Sequence, residues 1–177
     1  MNTIKKQRMK MPKGGSFQNW LMSNNSTLPK VGEYATIMSY TDRDVAIVRE
    51  VSADGMQCVI EDCHTVAKRG QDGNYLPMGH QCWEHTPSGH KKTLRWYRGK
   101  WCIVGREIVF TEEFRKSIDS EFIGIHLHKN NPELLKQVYG DHHMPINVVP
   151  GVTREKKTYA PMRILFGACD YYYDWTF

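Results

Sequence analysis

Between residues 58 and 90 the chain gathers Cys58, Cys63, His64, His80, Cys82, His85 and His90. Thiolate and neutral imidazole together are the ligands that hold zinc in a tetrahedral set, so a metal centre is the first chemistry to consider. The best set is Cys63, His80, Cys82 and His85, with zinc as the cofactor it implies. Its spacing is unorthodox, because no Cys-x-x-Cys knuckle anchors either end. If HQCWEH is extended, His80, Cys82 and Glu84 share one face and His85 points away, so three ligands converge only with a bend near Trp83. A sharper version is a nuclease centre of the HNH type. There a histidine base is oriented by an asparagine and a later histidine holds the metal, an order that His64, Asn74 and His85 imitate. Yet Pro77, Gly79, Trp83 and Pro87 make a poor metal-holding helix, and the nearby acid is displaced to Asp62. The preferred reading has structural cysteines, surface histidines, no cofactor and no catalytic residue. His126 and His128, placed on one face of an expected strand, and His142 with His143 are read as surface histidines too. No Gly-rich phosphate loop, Gly-x-Ser-x-Gly elbow or carboxylate pair spaced for acid/base work is present.

Binding chemistry is better represented. RWYRGKW puts Arg95, Trp96, Tyr97, Arg98, Lys100 and Trp101 around one expected hairpin tip, a mixture that can stack on bases and pair with phosphates, or simply cover a sheet edge. The net charge of +5 belongs to a tail: Lys5, Lys6, Arg8, Lys10 and Lys13 occur in the first thirteen residues with no acid among them. The remaining nineteen basic residues match the nineteen acidic ones. Such a tail, ending in PKGG, is too polar and too rich in breakers to pack, and reads as a flexible arm that meets an anionic or grooved partner. At the other end Tyr171, Tyr172, Tyr173, Trp175 and Phe177, with Phe166 nearby, offer large anchors at low entropic cost, or else close the bottom of the core.

These groups need elements to position them. SFQNWLMSNN predicts a short helix with Ser16 as N-cap and Phe17, Trp20 and Leu21 on one face. EYATIMSY and VAIVREV are strands joined by the TDRD turn, and MQCVIEDCHTVA alternates with the period of a third. RGQDGN is a loop. HQCWEH and KKTLRWYR are expected to form a hairpin across TPSG, and Gly99-Lys100 turns the chain into WCIVGREIVF. Further on, TEEFRKSID has Thr111 as N-cap, and NPELLKQVYG has Asn131 as cap, Pro132 at its first position and Gly140 as stop. Between them EFIGIHLH is strand-like; INVVPG and PMRILFGAC add extended pieces.

Composition bounds the class. With 177 residues, 40% of them hydrophobic and 24% charged, the chain suits one ordinary domain with a core. It has no apolar run long enough to span a membrane and no apolar centre of a secretory signal near its start. Five cysteines, an odd number without framework spacing, suit reduced thiols in a cytoplasm.

Three stretches, PKVGEYATIMSYTDRDVAIVREVSADGMQCVIEDCHTVAK, YLPMGHQCWEHTPSGHKKTLRWYRGKW and YYYDWTF, carry a resemblance. Gly32-Glu33, Thr41-Asp42-Arg43, Ala46-Ile47-Val48 with Val51, Pro87-Ser88-Gly89 and Tyr172 to Phe177 resemble motifs of small, uncharacterised proteins encoded by tailed bacteriophages and viral metagenomes. Glu33 stands where those relatives carry Asp, and residues 111–168 lie outside the likeness. The resemblance implies a small SH3-like barrel and a phage setting, not a reaction. The expected organisation is mainly β: a flexible basic arm over 1–15, a β-barrel domain with a short N-terminal helix over 16–110, and an α/β elaboration over 111–177. The expected function is a non-enzymatic structural or interaction module, a small virion or assembly component whose partners are other phage proteins or its own copies. Weak nucleic-acid contact comes through the arm, no membrane is involved, and the location is the virion or the infected bacterial cytoplasm. The alternatives are a nucleic-acid-binding or anti-host-defence protein and, after it, the HNH-like nuclease.

Overall fold

Seven strands, β1 (Tyr34–Met38), β2 (Arg43–Val51), β3 (Gln57–Ala67), β4 (Trp83–Tyr97), β5 (Lys100–Phe110), β6 (Thr153–Pro161) and β7 (Ile164–Phe166), form one antiparallel sheet in the order β6-β5-β4-β3-β2-β1-β7. They belong to a computed structural model that describes residues 16–74, 83–118 and 122–172. The arm residues Lys5, Lys6, Arg8, Lys10 and Lys13, the ligand candidates His80 and Cys82, and the terminal Tyr173, Trp175 and Phe177 lie outside the described residues. Among the described residues four helices accompany the strands: α1 (Phe17–Ser23), α2 (Glu112–Ser117), α3 (Ile123–Asn130) and α4 (Pro132–Tyr139). Among the described residues no helix is long and apolar enough to cross a membrane.

The chain divides into two units, one built from residues 16–104 and 159–172 and the other from Gly105–Thr158. In the first unit, period-two alternation sends Ala46 and Val48 of β2, Cys58 and Ile60 of β3 and Leu94 of β4 into one core, where Val48, Ile60 and Leu94 have no exposed surface. The connection from β6 to β7 touches two other strands. Met162 N–H donates to Trp101 O at 2.9 Å, and Met38 N–H donates to Arg163 O at 3.0 Å. β7 then pairs with β1, Ala35 opposite Phe166.

Arg43, 8% exposed, ties this unit to its last described residues. Its Nη1 donates to Asp170 Oδ2 at 2.6 Å, its Nε donates to Asn19 Oδ1 at 2.8 Å, and its backbone bridges to Tyr172. Helix α1 forms where expected, with Ser16 Oγ accepting from Asn19 N–H. Its orientation is the surprise. Phe17 and Leu21 are more than half exposed, whereas Asn19 and Ser23 are buried. The Asn19 amide donates to the carbonyls of Thr41 and Asp42, so a polar face is turned inward to satisfy a turn.

The expected hairpin across TPSG does not form. β4 runs unbroken through those residues, and its partner β3 changes register between Glu61, opposite Lys91, and Cys63, opposite Pro87. Turn-forming residues are used here for a bulge: Gly89 has φ +82°, and its N–H donates to Glu61 Oε1 at 2.8 Å. Glu61 is held in turn by Arg49 Nε at 2.6 Å.

In the second unit, Thr111 and Asn131 cap α2 and α4 as expected, and Gly140 follows the end of α4. EFIGIHLH is a helix rather than a strand. Its Ile123, Ile125 and Leu127 satisfy a period of two, but Leu127 is buried, Ile123 is partly buried against the same core and Ile125 is 56% exposed, so the four-residue spacing wins. Leu127 joins Phe110 and Val138 in a small core flanked by Leu134, Leu135, Val149 and Val152. INVVPG forms no strand, while the unassigned TREKKTYAP is β6. Its charges face solvent and pair across to β5, Lys156 with Glu107 at 3.2 Å and Arg106 with Glu155 at 3.5 Å.

Candidate functional site

The β4–β5 hairpin closes with a two-residue loop. Arg98 has φ 49° and Gly99 φ 77°, the left-handed pair of a type I′ turn, which fixes Tyr97 opposite Lys100 and Trp96 opposite Trp101. That register divides RWYRGKW between two faces. Trp96 and Trp101 meet edge to face with centroids 5.5 Å apart, and Trp101 also meets Phe166 at 5.3 Å. Trp101 is 5% exposed, so the two tryptophans are core and cleft walls, not an open stacking platform. Arg95 and Tyr97 lie on the other face, exposed. Tyr97 stacks on Tyr159, centroids 4.5 Å apart and planes at 18°, and the Arg98 guanidinium lies 5.2 Å from the Tyr97 ring centroid. The stack gives a long aromatic surface rigidity, and the arginines beside it supply positive charge and flat donor groups.

The ladder separates the two histidines of the nuclease order. Thr65 pairs with His85 and His64 with Thr86, so His64 and His85 project to opposite faces, and the order that imitated a nuclease centre is not gathered in space. Cys63 and His85 share a face. His85 Nδ1 lies 2.8 Å from Thr65 Oγ1, its ring is within 6.4 Å of Tyr171 and 6.1 Å of Tyr34, and burial pulls its pKa below the usual histidine value. Among the described residues no three histidine, cysteine, aspartate or glutamate side chains are grouped to hold a metal ion. Burial also raises the thiol pKa of Cys63, Cys102 and Cys169 and pushes that of Cys58 up to about 12, so none of these four is primed as a nucleophile. His126 sits on a helix beside Asn130, two positions from His128, and the two do not share a face.

The terminal aromatics divide similarly. Tyr171 meets Trp83 edge-on at 4.8 Å. Tyr172, 48% exposed, carries the Arg43 guanidinium 5.4 Å over its ring. Both therefore hold the chain end down as well as presenting surface.

Comparison of the chain with family models, with curated proteins and with solved structures returned no match. Sequence reasoning named Tyr97 and Arg98 but missed Tyr159, Asn19 and Asp170, whose partners are distant along the chain. Only the extended alternation of a charged β6 could have pointed to Tyr159.

Proposed function

We propose that the chain is a non-enzymatic interaction module of a tailed phage, a small virion or assembly component that docks on a neighbouring protein through the exposed end of the β4–β5 hairpin. The observation that carries this reading is the Tyr97–Tyr159 stack with Arg98 on it, a preorganised aromatic and arginine surface of the composition that dominates binding energy at protein interfaces. The phage setting rests on the sequence resemblance. The finer fold belongs to the same proposal: the first unit is a small SH3-like barrel, supported by the bonds from Met162 to Trp101 and from Met38 to Arg163 at the β6–β7 connection, and the helical residues elaborate it. Particles purified from the encoding phage should contain the protein in fixed stoichiometry, and Tyr97→Ala with Arg98→Glu should abolish its incorporation. Its absence from particles overturns the proposal.

A second reading, nucleic-acid binding in the infected cytoplasm, draws on Arg95 and Arg98 beside the same rings. It requires an affinity that falls steeply with salt, since each neutralised phosphate releases counterions. Tight binding to one defined sequence at physiological salt favours it over the particle component.

A further inference from the structure

After β7 the chain crosses the sheet face that carries Thr36, Arg43 and Glu61. Thr36 Oγ1 donates to Ala168 O at 3.1 Å and accepts from Asp170 N–H at 3.1 Å, so residues 168–170 are pinned over β1. Tyr172 exchanges backbone hydrogen bonds with Arg43 of β2, and the Tyr171 ring meets the Trp83 and His85 rings of β4. β3 lies between those anchors. Thr36 pairs with Val45 and Ala46 with Asp62, so the β3 position next to the Thr36–Val45 row is Cys63, on the same face. Cys63 is half-buried there, and Cys169 stands exposed in the segment that crosses the face. Burial raises the Cys63 thiol pKa first, and repulsion from a Cys169 thiolate raises it further, so the two sulfurs lie within each other's electrostatic reach.

We infer that Cys63 and Cys169 are the two halves of a reversible disulfide that locks the end of the first unit across β1, β2 and β3. Residues 168–170 belong to no strand or helix and follow Gly167, whose φ is 75°. That leaves the segment room to bring the two Cα atoms to the roughly 4.4–6.8 Å that a disulfide requires. The oxidant is a hydroperoxide, of which hydrogen peroxide is the simplest. The Cys169 thiolate attacks one peroxide oxygen, the O–O bond breaks, and a sulfenic acid and water result; the Cys63 sulfur then displaces the remaining oxygen as water while the S–S bond forms. The two thiols give up two electrons and two protons, and the peroxide becomes two waters. Burial raises both thiol pKa values and only thiolate attacks, so the bond forms slowly and records sustained oxidant rather than a brief pulse. In the reduced chain Arg43 holds this segment through Asp170 and Tyr172 without a covalent link. The disulfide makes the hold independent of Arg43. It involves neither Tyr97 nor Arg98, so its test stands apart from docking and particle incorporation.

Hydrogen peroxide added to the folded whole chain at about pH 8, followed by intact mass and peptide mapping without reductant, reads the product. The expected species is a single chain that has lost two hydrogens, with the peptide of Cys63 joined to that of Cys169, and dithiothreitol should reverse it. Cys63→Ser and Cys169→Ser should each block the bond, with circular dichroism reporting whether they fold. The wild-type map decides the pairing even where a variant does not fold. Urea unfolding then reads the lock: Arg43→Ala should shift the midpoint about twofold less in the oxidised chain than in the reduced one, and Arg43→Lys replaces it if the reduced alanine variant is unfolded. No bond, any other cysteine pairing, a link between chains, or sulfinic acid at Cys169 with Cys63 left free overturns the inference. So does a midpoint shift that is equal in the two forms.

Discussion

Arg43 and Glu61 are the only charged side chains buried among the described residues, and they solve opposite problems. Arg43 is a cation that gathers distant segments: Asn19 from α1, Asp170 and the backbone of Tyr172 all converge on it. Glu61 is an anion that repairs a local irregularity, accepting from Arg49 on the next strand and from the Gly89 N–H that the bulge would otherwise leave unpaired. One charge makes a closure and the other permits a defect. The difference teaches that a buried charge acts on whatever backbone its hydrogen bonds reach, so loss of Arg43 should loosen the unit broadly and loss of Glu61 only around the bulge.

The largest effect should come from Arg43→Ala. It strips Asp170 of its partner, leaves Asn19 Oδ1 buried without its donor and removes a packed stem, at a cost of roughly 3 kcal/mol in urea unfolding. A loss under about 1 kcal/mol would place the closure elsewhere and end the contrast. Gly89→Ala comes next. An added Cβ meets nothing within 4 Å, so the cost is that of a left-handed backbone alone, about 1–2 kcal/mol. A neutral result would mean that the bulge relaxes into regular pairing. Asp170→Asn keeps an acceptor and loses a charge on a side chain that is 41% exposed, so about 1 kcal/mol or less is expected from the same denaturation series.

The smallest expected effect concerns acid. Hydrogen bonds from Arg49 and from Gly89 N–H hold the Glu61 carboxyl below its ordinary pKa of 4.5. A carboxyl depressed by folding contributes stability that is present above its unfolded pKa and lost as the pH falls through the folded one. Between about pH 6 and about pH 3, Glu61→Gln should therefore lose less stability than the wild type, read as the change in urea midpoint. Equal losses would show that Glu61 is not what acid attacks at the bulge.

The same pair marks where sequence reasoning worked. β1, β2 and β3 were legible because alternating apolar residues and short turns are local signals, and the caps at Ser16, Thr111 and Asn131 were legible for the same reason. Pro87-Ser88-Gly89 carries a turn signal that nothing local distinguishes from a bulge; only Glu61, on another strand, decides between them. α3 was misread because Ile123, Ile125 and Leu127 fit both periods until Val138 and Phe110 choose one. β6 was missed because its exposed charges hide a strand that is identified by its neighbours. At the candidate site, Tyr97 and Arg98 could be read from composition, but the burial of Trp101 and the stacking of Tyr159 depend on register and on a distant return of the chain.

That distant return governs how the protein emerges from the ribosome. β1 has β2 on one side and β7 on the other, so its second edge stays open until Ile164–Phe166 have been made. Gly105–Thr158 must be synthesised in between. At about 5–20 residues per second, the stretch from Met38 to Phe166 leaves the nascent chain with an uncapped edge, the apolar face of Ala35 and Ile37 beside it, for roughly 6–26 s. Those seconds are the interval in which one growing chain can pair with another, and a chain halted near residue 158 would never leave it.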